Sequence, residues 1–326
     1  MKSKGQEYVH IWYHCHHCGK SPIAGPRYHC TSCPDGPDND LCEDCYKNHL
    51  KGTVPHPAKD SLAEQLNLPE HKFEKSEGKP ASLFEPWLKV KDPKGEAPAL
   101  SKYSVVRPIF SAGADSAIAG YAFAASPGED KKPVLLTALH VMDELIKKKQ
   151  IDCDITNEHY TGRELPAAIT DVDLYDVYAP NWMMCPVGPA GEMLALPHAR
   201  TGEEEPLSDL DIAAFLLTGN TKVRPLPLAM EPPQVGDAVF NAARIDGKPG
   251  KLLTEMVVVE ITDRTMILKS LNSAEKTPYS SGSPILNQAG EVVGLKVGGG
   301  RFKEQQFSHA NHIGNIRRHL TDAGIL

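Results

Sequence analysis

One serine of this chain lies in a setting that suits a nucleophile. Residues 277–286 read Thr-Pro-Tyr-Ser-Ser-Gly-Ser-Pro-Ile-Leu, a tight turn followed by an apolar strand. On such a turn the hydroxyl of Ser281 is predicted to be exposed, and Gly282 lets the backbone approach a substrate closely. Serine and glycine are also common in ordinary hairpin turns. Because a serine hydroxyl is a poor nucleophile at neutral pH, this interpretation requires a base and an orienting acid elsewhere in the chain.

Candidates for both groups lie upstream of the serine. Residues 133–142 read as a buried strand that ends near His140, with a short helix after it, and Asp211 precedes a second apolar run. The chain order of the three groups is therefore histidine, aspartate, serine, which is one of the known orders of a catalytic triad. Other aspartates near predicted strands stay open as the acid: Asp173, Asp176 and Asp209.

These three motifs resemble those of the trypsin-like serine proteases. The matching sequences are Thr-Ala-Leu-His at 137–140, Asp-Ile-Ala at 211–213 and the serine turn itself. The resemblance implies a fold of two six-stranded β-barrels, with His140 and Asp211 on the first barrel and Ser281 on the second. It also implies that the backbone N–H groups of Tyr279 and Ser281 form the oxyanion hole. Catalysis of this kind needs no cofactor.

Two positions beside the serine depart from the pattern of that family. Tyr279 stands where the family usually has glycine, and a side chain there restricts φ, so the hole is expected to need substrate to form. Ser280 stands where digestive enzymes carry the aspartate that pairs with a newly cut amino terminus. We therefore expect no activation by that kind of cut.

Substrate preference has two opposing candidates in the sequence. Glu275, six residues before the serine, would favour Lys or Arg at the cleaved position, whereas Lys296 would favour an acidic residue. The alternative is that the two side chains pair with each other or are exposed. Residues 297–299 are placed to pair with a substrate as an added strand.

The cysteines indicate a different chemistry at the amino terminus. Six of the 8 cysteines form three Cys-x-x-Cys pairs: Cys15 with Cys18, Cys30 with Cys33, and Cys42 with Cys45. His49 and His56 follow, and thiolates and imidazoles are the ligands that structural zinc prefers. Eight ligands make two closed sites. Three disulfides are the alternative, but the rest of the chain lacks the cysteine pairs of a secreted protein, which predicts a reducing compartment, the cytoplasm.

Residues 8–60 resemble a ZZ-type zinc finger. The resemblance implies a cross-braced module that binds two structural Zn²⁺ ions, with Cys15, Cys18, Cys42 and Cys45 at one site and Cys30, Cys33, His49 and His56 at the other. His14, His16 or His17 stay open as substitutes for the histidine pair.

Members of the ZZ family bind proteins, and several bind a free peptide amino terminus through acidic side chains. The candidate residues here are Asp35, Asp38 and Asp40. Carboxylates at these positions would pair with an ammonium or a guanidinium group. A solvated acidic loop is the alternative. His16 also stands where the amino-terminus readers have an acidic residue, which weakens the transfer of this function.

Composition limits the remaining function classes. The 326 residues include 35 Lys and Arg and 42 Asp and Glu, which gives a net charge of −7. This acidic balance argues against a nucleic-acid partner. No apolar run approaches the roughly 18 residues that span a bilayer, so we expect no membrane partner. The polar residues 1–7 do not resemble a secretory signal.

The order of segments predicts a mainly β protein with a C-terminal helix. Residues 1–60 are the predicted finger, the proline-rich residues 61–101 a linker, and residues 102–326, with many short β-type runs, the protease domain. The whole predicts an intracellular serine endopeptidase that cleaves protein substrates and is targeted or regulated by its finger. The alternative is a pseudoprotease or adaptor in which both parts only bind proteins.

Overall fold

The computed structural model describes residues 7–31, 39–54, 71–118, 120–128, 131–142, 145, 168–179, 185–199, 209–248 and 250–326. The chain divides into two compact units. The first comprises residues 1–90 with 299–307, and the second comprises residues 91–298 with 308–326. Residues 71–90 of the predicted linker therefore group with the finger.

The first unit is built from short strands and two short helices. In chain order these are β1 (Tyr8–His10), β2 (Ile23–Ala24), β3 (Arg27–Cys30), β4 (Asp40–Cys42), α1 (Glu43–Leu50), β5 (Phe73–Ser76), β6 (Lys79–Pro80) and α2 (Glu85–Lys89). The strands form two three-stranded sheets, β2-β1-β6 and β4-β3-β5. The small core includes Ile23 and Leu41, both fully buried. Modules with cores of this size commonly depend on bound metal for much of their stability.

The second unit begins with a closed barrel. Its elements are β7 (Val105–Ala112), β8 (Asp115–Ile118), β9 (Ala122–Ser126), β10 (Val134–Thr137), β11 (Asp171–Asp176), β12 (Pro186–Leu194), β13 (Ala213–Leu217) and β14 (Leu226–Pro227). The sheet order is β14-β9-β10-β13-β12-β11-β7-β8, and an additional pairing of β9 with β7 closes six of these strands into a ring. Phe110, Phe123 and Phe215 fill its interior.

A second barrel of six strands follows. Its elements are β15 (Ala238–Ala242), β16 (Leu253–Ile261), β17 (Thr265–Ser270), β18 (Pro284–Leu286), β19 (Val292–Phe302), β20 (Gln305–His312) and α3 (Ile313–Asp322). The strands close in the order β15-β16-β17-β20-β19-β18. The end of the β19–β20 hairpin, residues 299–307, is grouped with the first unit.

Burial along the strands explains why the chain closes into barrels. In β7, inward side chains alternate with partly exposed ones after Val106, whereas β10 and β17 are buried at every residue. Alternating strands have one apolar face to bury, and closure into a ring also removes sheet edges. The predicted fold class, mainly β with two six-stranded barrels and a C-terminal helix, is confirmed. Among the described residues, no helix is long and apolar enough to cross a membrane.

Candidate functional site

Strand register in the first barrel brings the predicted base and acid together. The short 3₁₀ helix Leu139–Met142 follows β10 and carries His140, and Asp211 lies two residues before β13. Since β10 pairs with β13, with Thr137 opposite Ala213, these two ends are adjacent. The Nδ1 atom of His140 lies 2.5 Å from Oδ2 of Asp211, and the backbone N–H of His140 donates to Oδ1 at 3.0 Å.

This pairing sets the tautomer of the imidazole. A carboxylate only accepts hydrogen bonds, so Nδ1 of His140 donates its proton to Asp211 and Nε2 keeps its lone pair. The carboxylate is buried, with Asp211 5% exposed. An Nε2 lone pair that faces away from the acid is what a general base requires.

The other candidate acids lie elsewhere. Asp209 forms an ion pair with Arg264 at 3.2 Å. Asp176 accepts the backbone N–H of Tyr178 at 2.8 Å. Asp173 is exposed on β11. The structure therefore places only Asp211, of the four aspartates considered, against the imidazole.

The serine lies on the turn before β18. Its hydroxyl donates to the backbone carbonyl of Val297 at 2.8 Å, and the next N–H, that of Gly282, donates to the carbonyl of Lys296 at 2.8 Å. These bonds hold the turn against β19. Because the hydroxyl of Ser281 has one proton, transfer of that proton to His140 requires rotation of the serine side chain about χ1.

Only glycine fits the position after the serine. Gly282 has φ of +82°, and a Cβ atom there would lie 2.1 Å from the carbonyl oxygen of Tyr121 and 2.4 Å from Oγ1 of Thr137. The backbone carbonyl of Tyr121 cannot move aside as a flexible side chain would. The turn therefore approaches the first barrel as closely as its backbone permits.

This contact yields a testable result with a matched control. Gly282→Ala is expected to destabilise the protein by about 3 kcal/mol, from steric overlap and a left-handed φ together. Gly290 also has φ of +82°, but its added Cβ would meet nothing nearer than 3.6 Å, so Gly290→Ala reports the φ penalty alone. We expect that penalty to be about 1 kcal/mol. Denaturant unfolding measures both, and equal costs would contradict the close approach.

One of the two proposed oxyanion donors, Tyr279, has an unusual backbone conformation. Tyr279 adopts φ of +53°, in the left-handed region that glycine enters without strain. Its side chain is 81% exposed and so does not fill the site. Among the described residues, we find no acceptor for the N–H of Tyr279 or of Ser281. Both donors are therefore available to a developing negative charge.

Glu275 is engaged within its own barrel. Its Oε1 atom accepts hydrogen bonds from Nζ of Lys248 at 2.7 Å and from Nζ of Lys251 at 2.8 Å. Burial alone would raise the pKa of Glu275, but the hydrogen bonds from both lysines outweigh burial and lower this pKa. The carboxylate is already paired with two cations, and the alternative in which Glu275 pairs with Lys296 is not what the structure shows.

Four thiols of the first unit form a cluster that suits zinc. The Sγ atoms of Cys15, Cys18, Cys42 and Cys45 all lie within 4.8 Å of one another. The Sγ atoms of Cys18 and Cys42 are 3.9 Å apart. A tetrahedral zinc with Zn–S bonds near 2.3 Å has S–S edges of about 3.8 Å, so the residues fit the metal.

The second predicted zinc site is described only in part. Cys33 and His56 lie outside the described residues. Sγ of Cys30 lies 3.7 Å from Nδ1 of His71, close to a tetrahedral S–N edge of about 3.6 Å. His49 pairs its Nδ1 with the carbonyl of Val54 at 3.1 Å. A carbonyl accepts, so this bond leaves Nε2 of His49 with its lone pair, as in most zinc-bound histidines.

His71 was missed by the sequence analysis. The predicted module ended at residue 60, whereas β5, which begins at Phe73, adds to the sheet of the finger. His71 directly precedes that strand. The signal in the sequence was one more histidine after His49 and His56, with no local spacing to connect it to Cys30.

The acidic patch of the finger is also described in part. Asp35 and Asp38 lie outside the described residues. Asp40 is 1% exposed, and its carboxylate pairs with Nδ1 of His29 at 3.0 Å and with Arg27 at 3.5 Å. Its backbone N–H donates to His16, one of the substitute ligands, at 3.2 Å. Asp40 therefore contacts β3 rather than solvent.

Comparison with known proteins agrees with this geometry. Residues 120–295 match the family model of the trypsin-like peptidase domain, more than half of the chain. The chain belongs to the trypsin-like peptidase family. The matched domain is that of a serine peptidase, a hydrolase of peptide bonds. Residues 9–54 match the ZZ-type zinc finger, a protein-interaction module, which together with the cysteine cluster indicates zinc binding.

One curated relative matches a short part of this protease. The E3 ubiquitin-protein ligase PRT1 of Arabidopsis thaliana is 38% identical over 66 residues. The match covers 20% of this chain and 14% of the length of that ligase.

Solved structures resemble this protease at low sequence identity. The active form of the Rv3671c protease of M. tuberculosis is 16% identical, with a TM-score of 0.41, over 72% of this chain and 92% of that chain. The serine endoprotease of Yersinia pestis is 15% identical, with a TM-score of 0.39, over 71% and 68%. A human pathogenic astrovirus serine protease is 13% identical, with a TM-score of 0.37, over 68% and 96%.

Proposed function

We propose that this protein is an intracellular endopeptidase that works through a Ser-His-Asp acyl-enzyme mechanism. The observation that carries the proposal is the 2.5 Å contact between Nδ1 of His140 and Asp211, which leaves Nε2 as the base. Ser281 lies in the same compact unit, on a turn whose next position, Gly282, has no room for a side chain.

The chemistry follows from these groups. After rotation about χ1, Oγ of Ser281 attacks the substrate carbonyl while Nε2 of His140 takes the hydroxyl proton. Asp211 stabilises the resulting imidazolium. The N–H groups of Tyr279 and Ser281 hold the oxyanion, a contribution of about 3 kcal/mol for each donor in enzymes of this kind.

The acyl-enzyme forms when the carbon–nitrogen bond breaks. His140 gives its proton to the leaving amine, and water then enters as the second nucleophile. His140 takes a proton from that water, the acyl–oxygen bond breaks, and the proton returns to Ser281. The products are a new carboxylate and a new amino terminus.

The finger is proposed to hold two zinc ions and to recruit a protein partner. The first site is the four-cysteine cluster, and the second is Cys30, Cys33 and His49 with either His56 or His71. Zinc, when bound, supplies structural bracing and takes no part in hydrolysis. Because Asp40 is already paired with Arg27 and His29, we assign it a structural role. The acidic contact with a peptide amino terminus then rests on Asp35 and Asp38.

A fluorophosphonate probe tests the central proposal. The probe reacts only with an activated serine, so the zinc-loaded wild type is expected to be labelled. Ser281→Ala and His140→Ala are expected to lose labelling, since the first removes the nucleophile and the second its base. A folded wild type that does not react would instead indicate a pseudoprotease that only binds proteins.

A further inference from the structure

A buried lysine beside the nucleophile has no counterion among the residues that the structure describes. Lys296 lies on β19 and is 7% exposed. Among the described residues, no carboxylate lies within ion-pair distance of its ammonium group, which donates a hydrogen bond to Oγ1 of Thr277 at 3.4 Å. Burial lowers the pKa of Lys296 to about 8, so the side chain still carries its charge near neutral pH. A buried, unpaired ammonium costs several kcal/mol, which stability alone does not explain.

The lysine lies at the catalytic serine. Its neighbour Val297 accepts the hydroxyl of Ser281 at 2.8 Å, and its contact Thr277 lies on the segment that leads to that serine. Tyr279, on the same segment, is 81% exposed, so solvent reaches this side of the site. Thr277 in turn accepts the hydroxyl of Ser280, the residue before the serine, so the ammonium group is connected to the segment that carries the nucleophile.

His309 on β20 lies against the same strand. A Cβ atom at Gly298 would lie 2.2 Å from Nε2 of His309, so the imidazole packs directly on the glycine after Val297. Burial is the main cause that lowers the pKa of His309 to about 4, Lys296 and His140 lower it further, and Asp211 opposes them. The imidazole is therefore neutral at pH 7. The charge that faces a substrate here comes from the lysine.

The competing candidate is already neutralised. Glu275 would select a basic residue, but two ammonium groups, those of Lys248 and Lys251, hold its carboxylate. In the part of the chain that the structure describes, Lys296 has no carboxylate partner. Of the two candidates, the charge that is left unpaired is therefore that of the lysine, and it favours an anion.

We propose that Lys296 is a specificity-determining residue that binds a substrate carboxylate, so that this protease cleaves after glutamate or aspartate, with His309 lining the same site. The inference rests on the proposed function, because it assigns the substrate class of that catalytic serine. A substrate carboxylate would supply the missing counterion, and it would do so only in the complex. Binding energy of this kind selects among substrates.

Binding to an inactive variant tests the inference without catalysis. Full-length, zinc-loaded Ser281→Ala would be titrated by calorimetry with three peptides that differ only at the cleaved residue, which is Glu, Gln or Lys. We expect the Glu peptide to bind about 30-fold or more tightly than the Gln peptide, as for a buried charge pair. Adding Lys296→Met should abolish that difference. Equal affinity for the Glu and Gln peptides, or no measurable binding of either, would overturn the inference.

The control is a second buried lysine of the same unit. Lys269 is 6% exposed and pairs with Asp92 at 2.8 Å. Lys269→Met is expected to lower the melting temperature and leave the Glu preference intact. Lys296→Met is expected to keep or raise the melting temperature, because it removes an uncompensated charge. A preference that survives Lys296→Met would also overturn the inference.

Fluorophosphonate labelling of the wild type separates the two proposals. Labelling without a Glu preference would leave the triad standing and remove the role of Lys296. A Glu preference in the binding assay without labelling would support the binding site and count against the catalytic proposal.

Discussion

Asp211→Asn is expected to lower kcat by about 10⁴-fold, the loss typical of this substitution in a Ser-His-Asp mechanism. An asparagine amide donates a hydrogen bond toward the imidazole, which favours the tautomer whose Nε2 carries the proton. His140 would then present N–H rather than a lone pair to Ser281. Steady-state kinetics on a peptide that the wild type cleaves measures the loss, and an unchanged KM would place the effect in the transition state.

The other aspartates serve as matched controls for this substitution. Asp209 pairs with Arg264, Asp176 binds the N–H of Tyr178, and Asp173 is exposed. None of them contacts the imidazole, so asparagine at each should change kcat by less than about threefold. A larger loss at any of these positions than at Asp211 would assign the acid to that residue.

Loss of zinc is expected to unfold the amino-terminal finger. Structural zinc contributes about 10 kcal/mol or more to modules of this size, far more than their small cores. Cys15→Ser and Cys42→Ser each remove a ligand from the four-cysteine cluster, so both should lose bound zinc and amide protection. Hydrogen exchange over residues 7–31 and 39–54 measures the unfolding, and metal analysis measures the zinc.

Two further sets of variants sharpen the zinc experiment. Cys185 is a free cysteine that the cluster does not include, so Cys185→Ser should keep all zinc and all protection. For the second site, His56→Ala and His71→Ala distinguish the two candidate ligands. The substitution that lowers the zinc content from two ions to one identifies the fourth ligand. A wild type that binds a single zinc, or a finger that stays folded in strong chelator, would contradict the two-ion model.

The structure distinguishes the two charged side chains that the sequence offered for substrate selection. In the sequence, Glu275 and Lys296 were equal and opposite candidates for substrate selection. What separates the two candidates is the set of charged groups that the folded barrel places around each of them. Lys248 and Lys251 reach Glu275 across 27 and 24 residues of chain, and no local pattern signals that contact.

By itself, the sequence determined the family and its chemistry. The Cys-x-x-Cys pairs, Thr-Ala-Leu-His and the Ser-Gly-Ser turn are local motifs, and local motifs specify backbone geometry within a few residues. The number and length of the β-type runs predicted a mainly β domain, and the resemblance of the three motifs to trypsin-like proteases implied that it forms two barrels. Local spacing also suggested which residues are nucleophile and base.

Only the tertiary structure decided which distant groups meet. Asp211 contacts His140, 71 residues away in the chain, because β10 pairs with β13 in one register. That register is fixed when the strands close into a barrel. His71 reaches Cys30 across 41 residues because β5 joins the sheet of the finger. The left-handed conformation of Tyr279, and the lack of a carboxylate beside Lys296 among the described residues, depend in the same way on packing. Contacts between distant residues depend on strand register and burial. Both are set by residues far apart in the chain, so local sequence patterns do not predict them.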